Sequence, residues 1–261
     1  MSDAIEDLLQ ETRTFPPSEE FRANAAVADS SLRDRADEDW LGYWAEQADH
    51  LDWFERWDEV LSWDEPVATW FGGGSLNVSY NCLDRHVDAG HGDQVAYHWI
   101  GEPDDRRDIT YAELLDEVGR AANALRQLGV ERGDRVAIYM PMIPELPVIM
   151  LACARIGAPH SVVFAGFSAQ ALRDRINDAE CKVVVTADGA WRRGSVFPLK
   201  DYVDDALSDT PSITNSIVVK RTESDIDMVE GRDLWWHDVV PDQSPECEPE
   251  HMDAEDLLYL L

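Results

Sequence analysis

From residue 95 onward the apolar positions fall into short runs separated by longer amphipathic stretches. VAYHWI (95–100), RVAIYM (135–140), HSVVF (160–164), CKVVVTAD (181–188) and SIVVKR (216–221) have the length and β-branched content of strands. Helical patterns lie between them. In ITYAELLDEVGRAANALRQLGV, Leu114, Val118, Ala121, Ala122 and Leu125 share one face, Thr110 and Glu113 have capping-box spacing, and Gly129 supplies the stop. PELPVIMLACARIG (144–157) ends at Gly157, Ser168 caps AQALRDRINDAE, and LKDYVDDAL completes the series. This alternation predicts an α/β fold, a mainly parallel sheet flanked by helices. Such sheets hold their ligands at the carboxyl ends of the strands, so chemistry is expected in the loops after Phe164 and Asp188.

The pattern differs at the two ends of the chain. Residues 1–35 are polar, acidic and without periodicity, and read as a mobile acidic tail. Residues 36–94 read as a helical, tryptophan-rich N-terminal extension. Trp40, Trp44, Leu51 and Phe54, then Trp57, Val60, Leu61 and Trp63, recur at helical spacings that suit a helix or two laid on another surface. Aromatic packing, not cofactor stacking, is the expected use of these rings. At the other end, HMDAEDLLYLL turns from acidic residues to five apolar or aromatic ones, Leu257–Leu261, a run expected to feed a buried strand.

Composition narrows the class. There are 53 Asp+Glu against 22 Lys+Arg, a net charge of −31 spread along the chain, and three of the 22 cations are lysine. A dispersed carboxylate surface almost free of lysine suggests a protein adapted to high salt, where screening relieves self-repulsion. A docking face for a basic partner is the alternative, but such faces are local blocks. Binding to a nucleic-acid backbone is disfavoured, because it needs clustered cations. The four cysteines are far apart and lack zinc spacing, the first residues lack the features of a signal peptide, and no apolar stretch is long enough to span a bilayer. A cytoplasmic protein with free thiols and no membrane partner is expected.

Several stretches could carry chemistry. Gly72-Gly73-Gly74 lacks the preceding strand and following lysine of a phosphate loop and reads as a turn. His86 and His91 with Asp84 and Asp88 could be drawn as a metal cluster, but surface or capping roles suffice, and no metal site is expected. VVFAGFS (162–168) passes from a strand through Ala165-Gly166 to a helix start. It is either a tight turn or a place where a ligand approaches the backbone and the helix N–H groups. DGAWRRGS (188–195) puts Arg192 and Arg193 beside Gly194 and Ser195. In so acidic a chain this is either a solvated or salt-bridged pair of arginines or a forked site for phosphate.

Taken together, WFGGGSLNVSYNCLDRHVD, ITYAELLDEVGRAANALRQLGVERGDRVAIYMPMIPE, ACARIGAPHSVVFAGFSAQALRDRI and RRGSVFPLKDYVDDAL resemble the N-terminal part of acetate–CoA ligases (acetyl-CoA synthetases), in the adenylate-forming superfamily. The resemblance covers residues 36–261, and NCLDRH, MPMIPE and VVFAGFS mark the acetate and propionate branch. It implies that residues 95–261 are a partial AMP-binding (adenylation) domain, truncated before the phosphate loop into which DLLYLL-like residues lead in that family. It also implies ATP, Mg2+ and coenzyme A as reactants and cofactors, with acetate activated as an acyl-adenylate before the CoA thiol attacks. The ATP and Mg2+ contacts would lie mostly beyond residue 261, leaving no catalytic residue in these 261 and the isolated chain inactive. The resemblance places the CoA phosphate at residues 192–195, where Arg192 matches a family arginine. Ser195 stands where the family has a second cation, Arg193 is available to supply that charge, and Gly166 lies by the pantetheine path. A ligase for propionate or another short acid and a non-catalytic CoA-binding or interaction module are the alternatives.

Overall fold

The computed structural model describes residues 13–102 and 104–261. They divide into two compact units, one ending at His50 and the other comprising Leu51–Leu261.

The first unit is helical. A short helix, Glu19–Ala23, is capped by Ser18, and α1 (Ser31–Glu38) and α2 (Trp40–Ala48) follow. Neither Glu19–Ala23 nor α1 buries a residue, although both fall wholly or partly in the stretch read as a tail. Local capping sets some of these turns. The Ser18 hydroxyl accepts from Phe21 N–H at 3.2 Å, and the Asp39 carboxylate accepts from Gly42 N–H at 2.9 Å.

The second unit opens with a difference from the expected helices. Residues 59–72 form an antiparallel hairpin, β1 (Glu59–Asp64) and β2 (Val67–Gly72), with Leu61 opposite Trp70 and Trp63 opposite Ala68. Val60, Trp63, Val67, Thr69 and Trp70 are strand formers on both arms of a turn at Glu65-Pro66, and their pairing overrides a fortuitous helical spacing. The aromatic residues here do pack on one another. Trp57 lies edge-on to Trp53 at 4.8 Å and to Phe71 at 5.2 Å.

The strand at 95–100 is also separate from the main sheet. β3 (Val95–Ile100) pairs antiparallel with β4 (Arg106–Thr110) in a hairpin of its own. The chain then alternates as its pattern requires: α3 (Tyr111–Gln127), β5 (Val136–Tyr139), α4 (Glu145–Arg155), β6 (His160–Val162), α5 (Ala169–Asp178), β7 (Val183–Ala187), the small hairpin β8 (Ala190–Arg192) and β9 (Ser195–Phe197), α6 (Leu199–Leu207), β10 (Asn215–Val219), β11 (Asp233–Trp235) and β12 (Tyr259–Leu260). Six strands make one sheet in the order β11-β10-β7-β5-β6-β12, parallel throughout. Every residue of β5 and β7 is buried, which explains their apolar character, and the one hydroxyl of β7, on Thr186, donates to the Tyr139 carbonyl at 2.8 Å. β12 joins at an edge with Tyr259 opposite His160. The apolar run therefore does form a strand, yet only one face of its ladder is paired, and Leu257 and Tyr259 stay about half exposed.

Two features lock the layers. α3 has the expected capping box, with Thr110 N–H donating to Glu113 at 2.9 Å and Glu113 N–H donating to the Thr110 hydroxyl at 3.2 Å. Across α3 and α4 runs an extended segment, 241–250, held through its carbonyls. Arg120 donates to Pro241 and Gln243, Asn123 to Ser244 and Glu246, and Arg155 to Cys247. The buried Arg155 also forms a bidentate pair with Asp84 at 2.8 Å to each oxygen, so Asp84 is committed to that pair.

Candidate functional site

The strand order turns back at β5. The chain leaves β5 for β6 on one side and leaves β7 for β10 on the other, so the carboxyl ends of β5 and β7 flank the point where a crevice is expected. A cleft of about 370 Å3 opens there. Its walls come from the loop after β5 (Met140–Ile143), the segment after β6 (Val162–Ala165), the β8–β9 hairpin (Ala190–Arg192 and Phe197), and the β3–β4 loop with Trp99 to Glu102. Arg221, just past β10, completes it. The walls are largely apolar, with Arg192, Arg221 and Glu102 as the charged groups, a composition suited to a ligand with an apolar body and an anionic end.

The five residues singled out in the sequence meet at this end of the sheet. Arg192 and Ser195 face each other as the last pair of the β8–β9 hairpin, and the Ser195 hydroxyl donates to the Arg192 carbonyl at 3.1 Å. Arg193 and Gly194 form the turn, both left-handed, with φ of 54° and 79°. Successive positive φ values are the twist that a two-residue hairpin turn requires, so glycine at the second position relieves strain there. Gly166 lies on the segment after β6, next to the same arginine. A Cβ on it would come within 3.2 Å of Arg192 Nη1 and 2.7 Å of Phe164 Cε1. The Ser168 hydroxyl is used as the cap of α5, accepting from Ala171 N–H at 3.3 Å. The Tyr139 hydroxyl ties β5 to this turn, donating to the Phe167 carbonyl at 2.8 Å.

Three further residues shape the cleft. Asp188, fully buried at the end of β7, gathers the backbone around it: Oδ1 accepts from Gly189, Arg221 and Thr222 at 2.7, 2.8 and 2.9 Å, and Oδ2 accepts from Ser224 at 3.1 Å. That carboxylate fixes both the start of the arginine hairpin and the position of Arg221. Arg221 in turn donates to the Glu102 carbonyl at 2.7 Å, pairs with Asp105 at 2.6 Å and lies over the Trp99 ring at 5.1 Å. Glu102 reaches the hairpin turn, where its carboxylate accepts from the N–H groups of Arg193, at 3.1 Å, and Gly194. Asp188 and Arg221 sit where strands end, a position that would have flagged them. Nothing local marks Glu102, because its partners are 91 and 92 residues away.

The open, parallel sheet with its crevice at the turning point defines the class of doubly wound α/β proteins, which bind their ligands at that crevice. Comparison with known proteins makes this specific. Residues 83–261 match the family model described as AMP-binding enzyme, and residues 30–82 match that of the acetyl-coenzyme A synthetase N-terminus. The chain belongs to the AMP-binding enzyme family. It is 58% identical over 250 residues to the acetyl-coenzyme A synthetase of Rubrobacter xylanophilus, covering 95% of this chain and 39% of that protein. It is 55% identical to the acetyl-coenzyme A synthetase of Gemmatimonas aurantiaca, covering 100% of this chain and 41% of that protein. Among solved structures, acetoacetyl-CoA synthetase from Streptomyces lividans superimposes with a TM-score of 0.81 at 26% identity, over 94% of this chain and 40% of that one. The chain thus spans about two-fifths of the length of the relatives it matches.

Proposed function

We propose that this chain contributes the coenzyme A phosphate site to an acetate–CoA ligase. In the whole reaction the acetate carboxylate attacks the α-phosphate of ATP, giving acetyl-adenylate and pyrophosphate. The CoA thiol then attacks the acetyl carbon, releasing AMP and forming acetyl-CoA. The observation that carries the reading is Arg192, which lines an apolar-walled cleft at the strand ends, with the Arg193-Gly194 turn directly after it and Gly166 packed beside its guanidinium. The names of relatives more than half identical to this chain support it.

The residues fit the ligand proposed. Arg192 supplies a guanidinium for a phosphate, and Gly166, having no Cβ, leaves room for the Arg192 and Phe164 side chains against its backbone. Trp99, Phe164 and Phe197 offer walls for the uncharged arm of coenzyme A. ATP supplies the adenylyl group, and Mg2+ would neutralise its phosphates. Among the described residues no group of three or more His, Cys, Asp or Glu could hold a metal, so no role for this chain's residues is assigned toward Mg2+.

The same proposal places the protein in a salty cytoplasm. The −31 charge and the four free cysteines support that reading, and no helix among the described residues is long and apolar enough to cross a membrane.

Calorimetry with coenzyme A tests the site. Wild type is expected to bind it, and Arg192→Ala to bind about tenfold or more weakly, as loss of a charge-assisted bond to phosphate predicts. Wild-type protein that shows no binding, or binding indifferent to Arg192→Ala, would remove coenzyme A from this cleft.

A further inference from the structure

Two consecutive backbone N–H groups at the tip of the β8–β9 hairpin end on one carboxylate. Arg193 N–H donates to Glu102 Oε2 at 3.1 Å, and Gly194 N–H donates to Glu102 Oε1. The last ladder pair is Arg192 with Ser195, so neither donor is needed for the hairpin itself. Successive N–H groups in a turn of this kind form a concavity that takes an anion. Here the anion belongs to the protein and arrives from a different element. The backbone of Glu102 is held by Arg221, while its exposed side chain crosses to the hairpin beside Arg192.

We propose that Glu102 determines ligand specificity in this cleft, its carboxylate standing in for a ligand phosphate on the Arg193 and Gly194 N–H groups and leaving when that phosphate binds. The inference rests on the coenzyme A reading. Two consequences separate it from a merely structural contact. Apparent affinity is reduced by the fraction of molecules whose N–H pair is occupied, so removing the carboxylate tightens binding. A ligand without a phosphate at this point cannot replace two charge-assisted bonds and gains nothing from displacing Glu102, so the contact filters for anionic ligands. Its negative charge beside Arg192 also opposes retention of the phosphate once the side chain has swung away, which favours exchange over tight holding.

Calorimetry on this chain with coenzyme A and with dephospho-coenzyme A, using wild type, Glu102→Gln, Glu102→Ala and Arg192→Ala, tests the proposal. Amide resonances of Arg193 and Gly194 are followed by NMR in the same samples. Both Glu102 variants are expected to bind coenzyme A about fivefold to tenfold more tightly than wild type. Their two amides should shift upfield without ligand and return when coenzyme A is added. A gain lost with dephospho-coenzyme A assigns the stand-in to the 3′-phosphate, and a gain retained assigns it to the pyrophosphate; either supports the proposal. If wild type binds through Arg192 but neither Glu102 variant binds more tightly, the stand-in role is overturned and the coenzyme A site survives. If no variant and no wild-type sample binds coenzyme A, both fall. Glu102 is exposed, so circular dichroism matching wild type is expected for both substitutions.

Discussion

The imidazole of His160 sits at the start of β6, 5% exposed, and its Nδ1 has no hydrogen-bond partner. Burial disfavours the charged ring and pulls its pKa from 6.5 down to about 4. Unfolding restores the ordinary value, so between pH 6.5 and 4 the unfolded chain binds the extra proton. This contribution to stability is complete above pH 6.5, falls as pH drops and is lost by about pH 4. Between pH 7 and pH 5 wild type should lose about 2 kcal/mol more stability than His160→Phe, as read from urea unfolding at fixed ionic strength. A pH dependence equal in the two proteins would show that the ring is solvated. At this scale the sequence was legible where neighbours in the chain do the work. Arg192 through Ser195 stand together because a two-residue turn joins them. His160 was readable as a strand residue, but the chemistry of its ring depends on what packs over it, and Glu102 depends on a partner brought from elsewhere in the chain.

α3 was the most legible element, since its cap, its face and its glycine stop are all local. Leu114, Val118, Ala121, Ala122 and Leu125 are each buried, and Gly129 takes φ of 81°. Gly119 within it looks like an ordinary tolerated glycine until the segment 241–250 is in place. A Cβ there would lie 1.8 Å from the Pro245 carbonyl oxygen and 2.7 Å from its carbon. Gly119→Ala gains helix propensity, yet it must push a backbone away, and the second effect wins. We predict a net loss of about 2–4 kcal/mol by denaturant unfolding, where Gly→Ala in an exposed helix would gain about 1. Unchanged or increased stability would mean that the segment yields freely. The β1–β2 hairpin was the element that local pattern misrepresented. Its aromatic spacings fit a helix, and only the pairing of its two arms decides for strands. The strand at 95–100 was legible, but its pairing with Arg106–Thr110 in a hairpin apart from the parallel sheet is a property of pairing partners that no periodicity encodes.

For the whole molecule the carboxylate excess decides behaviour. Two of the three lysines are consumed in structure. Lys200, buried, pairs with Asp204 at 2.7 Å and Asp233 at 2.9 Å, and Lys182 pairs with Asp134 at 2.8 Å. The compensating charge elsewhere is almost all arginine, and it remains far short of the acid. Repulsion among the unpaired carboxylates weakens as the screening length falls from about 10 Å at 0.1 M salt to about 3 Å at 1 M. The melting temperature is therefore expected to rise steadily from about 0.1 M to about 2 M KCl, monitored by circular dichroism. A flat or falling profile would detach the −31 charge from salt adaptation. The overall class and the parallel sheet were legible because alternation of strand and helix leaves few arrangements, and the cleft followed from the rule about strand ends. The long-range ties that hold its parts were not legible.

The segment 241–250 also sets a clock. Its bonds to α3 join residues about 120 positions apart, a long loop to close, and we predict that they form late in folding. Asn123→Ala is then expected to speed unfolding while leaving the folding rate nearly unchanged in stopped-flow kinetics, and slowed folding would place the contact in the transition state instead. On that prediction the arginines and the asparagine that grip its carbonyls govern how long the folded protein lasts more than how quickly it is reached.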